Sequence, residues 1–301
     1  MGMSMPAGQA LDWAAAAAAG RVRGVRPLGV VGASWLLRLA GSRPLYLRLG
    51  DPRDRPMRRR FRTEAAALVL AERSGILAPR LVAADLDGSG AGRLALLRTM
   101  LPGVSRIPDE PSPTRLRALG AGAATVASVA VPPEAALPTR TRPVVEAAFA
   151  PAASPTGPAL RLAEAAHRIA GWQHRSGERV LVHGDFWQGN TLWVADRLSG
   201  IVDWDFAGIG PAGIDLGYLR LDAAFGYGPA AADEVLDGWE QARGRRARDV
   251  AYWDVVAAVA TPPDLGEWVA AWHDQGRTDL DVPTLTSRRD EFLRAALHDL
   301  G

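Results

Sequence analysis

Residues 182–216, VHGDFWQGNTLWVADRLSGIVDWDFAGIGPAGIDL, run from Val182 to Leu216 and decide how the rest of the chain is read. Val180–Val182 is a short apolar run that stops at His183 and Gly184, which reads as a buried strand with Asp185 on the loop that follows. Thr191–Val194 and Gly200–Trp204 are rich in β-branched and aromatic residues, so they read as two strands joined by a turn over Asp196–Gly200. A hairpin of that form is expected to bring Asn190, just before its first strand, alongside Asp203, at the end of its second. An amide oxygen and a carboxylate suit a hard cation such as Mg²⁺, whose octahedron phosphates and water complete. Asp185, one loop away, is placed to accept a proton from a substrate hydroxyl.

A base, an Asn five residues later and an Asp beyond a hairpin are also the parts of kinase-type phosphoryl transfer. HGDFWQGN together with IVDWDFAGIGPAGIDL resembles the HGDxxxxN and DWxxxxxGxxxxDL signature of the aminoglycoside phosphotransferase and choline kinase family. The resemblance implies that Asp185 is the catalytic base, that Asn190 and Asp203 hold Mg²⁺, and that Asp215 is a buried tether bracing the catalytic loop. It also implies an α+β, bilobal, protein-kinase-like fold. Residues 1–99 would form a nucleotide-binding lobe, a small antiparallel sheet with one helix. Residues 100–301 would form a larger, mainly helical lobe for catalysis and acceptor binding.

Composition sets the outer bounds. A chain of 301 residues with 48% hydrophobic and 23% charged side chains is ordinary for a soluble globule. Its longest alanine run, Ala14–Ala19, is too short to span a bilayer. The N-terminal MGMSMPAGQALDW lacks a basic segment ahead of an apolar core, so no secretory signal is read and a cytoplasmic location is expected. With no cysteine, disulfides, thiolate nucleophiles and cysteine-based zinc sites are excluded. All 35 basic residues are Arg, so any role that relatives give to a lysine falls here to an arginine. Residues 1–100 carry 16 arginines against 7 acids, and residues 181–301 carry 10 against 20. A basic first part suits a polyphosphate and an acidic last part suits Mg²⁺ or a cationic acceptor. The basic excess is not interleaved with a nucleic-acid-binding motif, so no such partner is expected.

In chain order, Leu11–Ala19 reads as a first helix, and Val22–Leu49 as three antiparallel strands with turns at Gly32–Ser34 and Gly41–Pro44. The first turn, GVVGAS, offers Gly29, Gly32 and the Ser34 hydroxyl to phosphates. Arg48 lies on the third strand, and Phe61–Ser74 reads as a helix with Glu64 in its first turn. Arg48 with Glu64 resembles the pair in kinase-like folds in which a strand cation, usually Lys, contacts the α and β phosphates while a helix glutamate holds that cation. Leu81–Ala84 and Leu94–Leu97 read as further strands. LALLRTMLPG resembles the segment whose backbone, here Arg98, Thr99 and Met100, would face an adenine edge; relatives often carry an acid where Thr99 stands, which leaves ATP or GTP open.

Beyond Gly103 the pattern turns helical: Ser112–Val129, Leu160–Gln173, Ile214–Phe225, Ala230–Ala242, Asp249–Ala260, Leu265–His273 and Pro283–Leu300. The Pro-rich stretch 131–158 reads as a connection or a loop rimming the acceptor. Trp239, Trp253, Trp268 and Trp272 fall at helical spacing and read as core. The expected activity is Mg²⁺-dependent transfer of a nucleotide γ-phosphoryl group to a small-molecule hydroxyl. An aminoglycoside-like antibiotic leads among acceptors, which would make the role antibiotic resistance. An amino alcohol, a sugar or homoserine is the metabolic alternative, and nucleotide binding without transfer is the third reading.

Overall fold

The structure, a computed structural model, describes residues 6, 8–28, 33–41, 43–143, 156–171 and 178–301. Two compact units divide the chain: Met1–Pro102 with Glu134–Leu137 and Ile201–Asp205, and the remaining segments Gly103–Pro133, Pro138–Gly200 and Phe206–Gly301. The first contains α1 (Gly8–Ala17), β1 (Val22–Pro27), β2 (Ala33–Leu39), β3 (Leu45–Gly50), α2 (Arg55–Arg73), β4 (Leu81–Asp85) and β5 (Leu94–Thr99). Its five strands form one sheet in the order β1-β2-β3-β5-β4, with every pairing antiparallel.

Side chains alternate across a strand, and here the alternation sorts core from site. Trp35, Leu37, Leu39, Leu45, Leu47, Leu49, Ala95 and Leu97 share one face and close over Ala10 and Ala14 of α1. On the other face Leu94 and Leu96 pack against Phe61 and Ala65 of α2. Full burial of Phe61 stabilises by roughly 2–3 kcal/mol. Register places Ser34 opposite Arg48 and Tyr46 opposite Arg98 on this second face. The sheet therefore has a helix on each face, α1 and α2; the sequence reading placed both, starting α1 three residues late at Leu11.

That reading also started α2 too late, at Phe61. Asp54 caps the helix, its carboxylate accepting from Met57 N at 3.0 Å, and Pro56 occupies the opening turn. Glu64 consequently sits in mid-helix rather than in the first turn.

The second unit contains α3 (Pro113–Val126), α4 (Gly157–Ala170), β6 (Arg179–Val182), β7 (Thr191–Val194), β8 (Arg197–Ile201), β9 (Gly208–Pro211), α5 (Gly213–Tyr227), α6 (Ala230–Arg243), α7 (Val250–Val259), α8 (Gly266–Asp274) and α9 (Val282–Leu300). Helix α5 is buried from Ile214 through Gly226, as befits a helix surrounded by α6, α7 and α9. Gly213 and Gly217 let it approach α7, since a Cβ at Gly213 would lie 2.0 Å from Trp253. Arg220 crosses from α5 to Asp254 on α7 with a forked pair of hydrogen bonds at 3.0 Å. Leu162 and Ala165 of α4 pack on α7 and α9, while Ile169 joins the cluster that contains Val180 and Val182 of β6. Among the described residues no helix is long and apolar enough to cross a membrane.

Candidate active site

In the first unit, Arg48 is the centre of a charged cluster. It stands on β3, and its guanidinium bonds Glu64 of α2 at 2.6 Å and Asp205 at 2.9 Å, with Asp203 at 3.9 Å. Glu64 is fully buried and shared: its second oxygen takes Arg98 of β5. Two arginines on one carboxylate avoid the uncompensated buried charge that removal of either partner would leave. Burial by itself would lower the Arg48 guanidinium, but Glu64, Asp205 and Asp203 more than offset it and its pKa is raised. Arg98 also lies over the Tyr46 ring at 4.2 Å, and Tyr46 donates to Ser34 Oγ at 2.7 Å.

Asp203 adopts φ +66, an uncommon conformation outside glycine, which costs on the order of 1 kcal/mol. Strain of this kind is usually tied to function, and here it sets Asp203 and Asp205 on the same cation. The Asp203 carboxyl is pushed up, by crowding that strips its water and then by Asp205 and Glu64. Because 51% of its side chain is still open, the neighbouring charges matter most. Asp205 is almost wholly buried and its Oδ1 has no hydrogen-bond partner. An open carboxylate beside an orphaned one is a donor set that a divalent cation fits.

In the second unit the sequence HGDFWQGN forms a loop held from beneath by two buried carboxylates. Strand β6 pairs with β9 and ends at Val182. Asp215, in the first turn of α5, then accepts from His183 N at 2.6 Å and Gly184 N at 2.8 Å, one per oxygen. Gly184 is required, since it takes φ +81 and a Cβ there would fall 2.1 Å from the Phe206 carbonyl. Asn190 donates from Nδ2 to the Asp185 carbonyl at 2.9 Å and to Asp185 Oδ2 at 3.0 Å. Its amide oxygen is thereby turned away from the acid and suits a cation. Tyr218 of α5 makes a further side-chain hydrogen bond to Asp185; burial first, then the charges of Asp185 and Asp222, raise its phenol well above the usual value.

Asp222 is the second anchor. Its Oδ2 accepts from Gln188 N at 3.2 Å and Gln188 Nε2 at 2.9 Å. Burial pushes Asp222 up to about 7, partly offset by Gln188, and burial likewise pushes Asp215 up to about 7 against its two N–H donors. A folded pKa above the unfolded one, near 3.9, means that the folded chain binds more protons between those values. Stability contributed by these groups is full below pH 4 and declines as pH rises to 7. Denaturant unfolding of Asp222→Asn between pH 4.5 and 8 is expected to show a shallower decline than the parent chain; parallel curves would remove Asp222 from this account.

The structure brings together Asp185 with Asn190, and separately Arg48 with Glu64, Arg98 and Asp203; these two groups belong to different units. Ser34 is on a strand and bonded to Tyr46, not at the tip of a turn, while Gly29 and Gly32 lie outside the described residues. Thr99 Oγ1 accepts from Arg80 N, and Met100 is exposed just past β5. The hairpin turns at Ala195–Asp196 rather than over 196–200, and Trp204 sits in a short 3₁₀ turn rather than on a strand. Among the described residues no group of three acids or histidines stands ready to hold a metal.

Sequence reasoning missed Tyr218, Asp222, Gln188 and Asp205. The first two fall three and seven residues after Asp215, one face of a helix, and that spacing was there to be read. Trp239, Trp253 and Trp272 are core as expected, whereas Trp268 is half-buried and lines a cavity.

Residues 26–251 match the model of the phosphotransferase enzyme family. Among solved structures the chain is similar to the aminoglycoside-3'-phosphotransferase of type VIII, at 19% identity over 82% of this chain and 98% of that one, TM-score 0.52. It is similar also to the macrolide 2'-phosphotransferase MphH from Brachybacterium faecium, at 19% identity over 95% and 97%, TM-score 0.52. A thermostable mutant of aminoglycoside phosphotransferase APH(4)-Ia, solved as a ternary complex with ADP and hygromycin B, aligns at 13% identity over 91% and 94%, TM-score 0.58. No curated protein sequence matches the chain. At such identities the structural likeness speaks for the fold, and the protein-kinase-like α+β architecture expected from the sequence holds. With well over half of its length inside the matched span, and the antiparallel sheet and Asp215-braced loop both in place, the chain belongs to the phosphotransferase enzyme family.

Proposed function

We propose that this phosphotransferase moves the γ-phosphoryl group of ATP or GTP to a hydroxyl of a small-molecule acceptor, with Mg²⁺ bound. The observation that carries the reading is the Asp185 carboxylate, fixed by Asn190 at 3.0 Å and by Tyr218. Asp185 accepts the hydroxyl proton as the acceptor oxygen bonds to the γ-phosphorus. The bond from that phosphorus to the β–γ bridging oxygen breaks, and the nucleoside diphosphate leaves. Asn190 and Asp203 would hold Mg²⁺, which would supply charge neutralisation for the phosphates. Arg48, kept in place by Glu64 and Asp205, adds a fixed positive charge for the α and β phosphates. Ser34 and the backbone from Arg98 through Thr99 to Met100 form the remaining nucleotide contacts. Positioning and fixed charge supply most of such catalysis.

Nucleotide consumption against a panel of hydroxylated acceptors, with phosphorylated product identified by mass, tests the reaction. A panel that yields no phosphorylated acceptor, while the chain still binds nucleotide, would leave a binding protein instead. For the metal role, Asp203→Ala is expected to weaken Mg²⁺-nucleotide binding in calorimetry by about tenfold or more, the loss of one charged ligand. Unchanged affinity would sink the assignment of Asp203.

A further inference from the structure

A cavity of 110 Å³ lies in the second unit where β6, α5, α6 and α7 meet. Its floor is apolar: Val180 of β6, Leu216 of α5, Trp239 of α6 and Trp253 of α7, all buried. Its rim is cationic. Arg243, Arg245, Arg246 and Arg248, from the end of α6 and the loop into α7, all line it, and the acids of the lining, Glu178 and Asp249, are exposed. Arg246 is taken by Glu240 at 2.6 Å. Glu178, however, is shared between Arg243 at 3.5 Å and Arg245 at 3.1 Å, and Arg248 has no carboxylate partner among the described residues. Guanidinium charge therefore exceeds the carboxylate available to it.

Two further features favour an anion. Helices α5 and α7 both begin at this cavity, through Ala212 and Gly213 and through Asp249, and neither opening turn has a side-chain cap. Helix N-termini carry partial positive charge and free N–H groups. The indole N–H of Trp239, a residue only 4% exposed, has no hydrogen-bond partner. Nor has the buried Nε of Arg243, one turn further along α6, whose guanidinium lies 5.8 Å from the Trp239 ring centre. Buried donors are rarely left without an acceptor, and the oxygens of an anion are acceptors only.

We infer that this cavity is a second ligand site, which takes the phosphomonoester of a short-chain alcohol, its alkyl group on the tryptophan floor and its phosphate among the arginines. Such a phosphate carries about −1.5 to −2 charge at pH 7, and its oxygens match the planar guanidinium fork. Size limits the alcohol. A cavity of roughly 150 Å³ holds benzene, so 110 Å³ admits about four carbons and excludes a nucleoside. The site is separate from the transfer chemistry, since none of Asp185, Asn190, Asp203 and Arg48 lines it, and the inference stands whether or not the chain transfers phosphate.

The probes are butyl phosphate, inorganic phosphate and 1-butanol, each titrated into the full chain by tryptophan fluorescence and calorimetry. Butyl phosphate is expected to bind about tenfold or more tighter than inorganic phosphate, which lacks the alkyl group, and than 1-butanol, which lacks the charge. Arg248→Gln should weaken it by about threefold or more. Glu178→Gln, which frees Arg243 and Arg245, should strengthen it. Both substitutions fall on exposed side chains, so neither variant depends on a repacked interior. Trp239→Phe, which keeps a ring and removes the N–H, should weaken butyl phosphate as well. Undetectable binding of butyl phosphate, or binding no tighter than that of inorganic phosphate or 1-butanol, overturns the inference. So does an affinity that neither Arg248→Gln nor Glu178→Gln moves, which would place the bound phosphate elsewhere on the chain.

Discussion

Asp185→Ala is expected to lower kcat by about 10²–10⁴-fold, the usual worth of a positioned general base, while nucleotide affinity changes little. The split follows from the geometry. The Asp185 carboxylate is fixed by Asn190 and Tyr218 within the second unit, whereas Arg48, Glu64 and Arg98 form their cluster in the first. Losing the base removes a contact made to the acceptor proton, not to the phosphates. Steady-state kinetics paired with calorimetric nucleotide titration measures both quantities on one preparation. If turnover persists within tenfold of the parent, Asp185 is not the base; if nucleotide affinity collapses together with turnover, it acts on the phosphates instead.

Asp215→Ala should be the most damaging single change to stability. The carboxylate satisfies two backbone donors, His183 N and Gly184 N, at a place where both residues are buried. Each orphaned buried donor costs roughly 1–3 kcal/mol, so a loss of about 2–4 kcal/mol is expected after allowing for relief of the buried charge. That is a large share of the ~5–15 kcal/mol that holds a typical domain together. Asp215→Asn should do hardly better, because its amide nitrogen would face one of the two N–H groups. Urea unfolding of both variants reads this directly, and a midpoint unmoved by either would show that the tether is ornamental.

Much of this was legible in the linear chain. The C-terminal helices begin and end within a few residues of their expected bounds, because Gly228, Gly244 and the prolines around 262 and 283 punctuate strongly apolar runs. The motif residues could be located for another reason: Asp185 and Asn190 share one loop, Asp203 follows the hairpin and Asp215 opens α5. Other features were hidden by weak local signals. The start of α2 is masked by arginines at 58–60 that blur its amphipathic stripe. The hairpin turn is invisible because Ala195, not Gly or Asn, adopts φ +51. Glu64 binding Arg98 in addition to Arg48, and Gln188 resting on Asp222, each join residues 34 positions apart, which no periodicity reports.

The forked side chain at position 48 has an evolutionary corollary. It divides its nitrogens between Glu64 and Asp205, acids that arrive from a helix and from a distant five-residue segment. A one-step exchange to the single ammonium of lysine would satisfy one of them and strand the other in a buried setting. Positions 48, 64, 98 and 205 are thus expected to drift as a linked set, with epistasis blocking the simple Arg-to-Lys path and neutral change at 205 opening it.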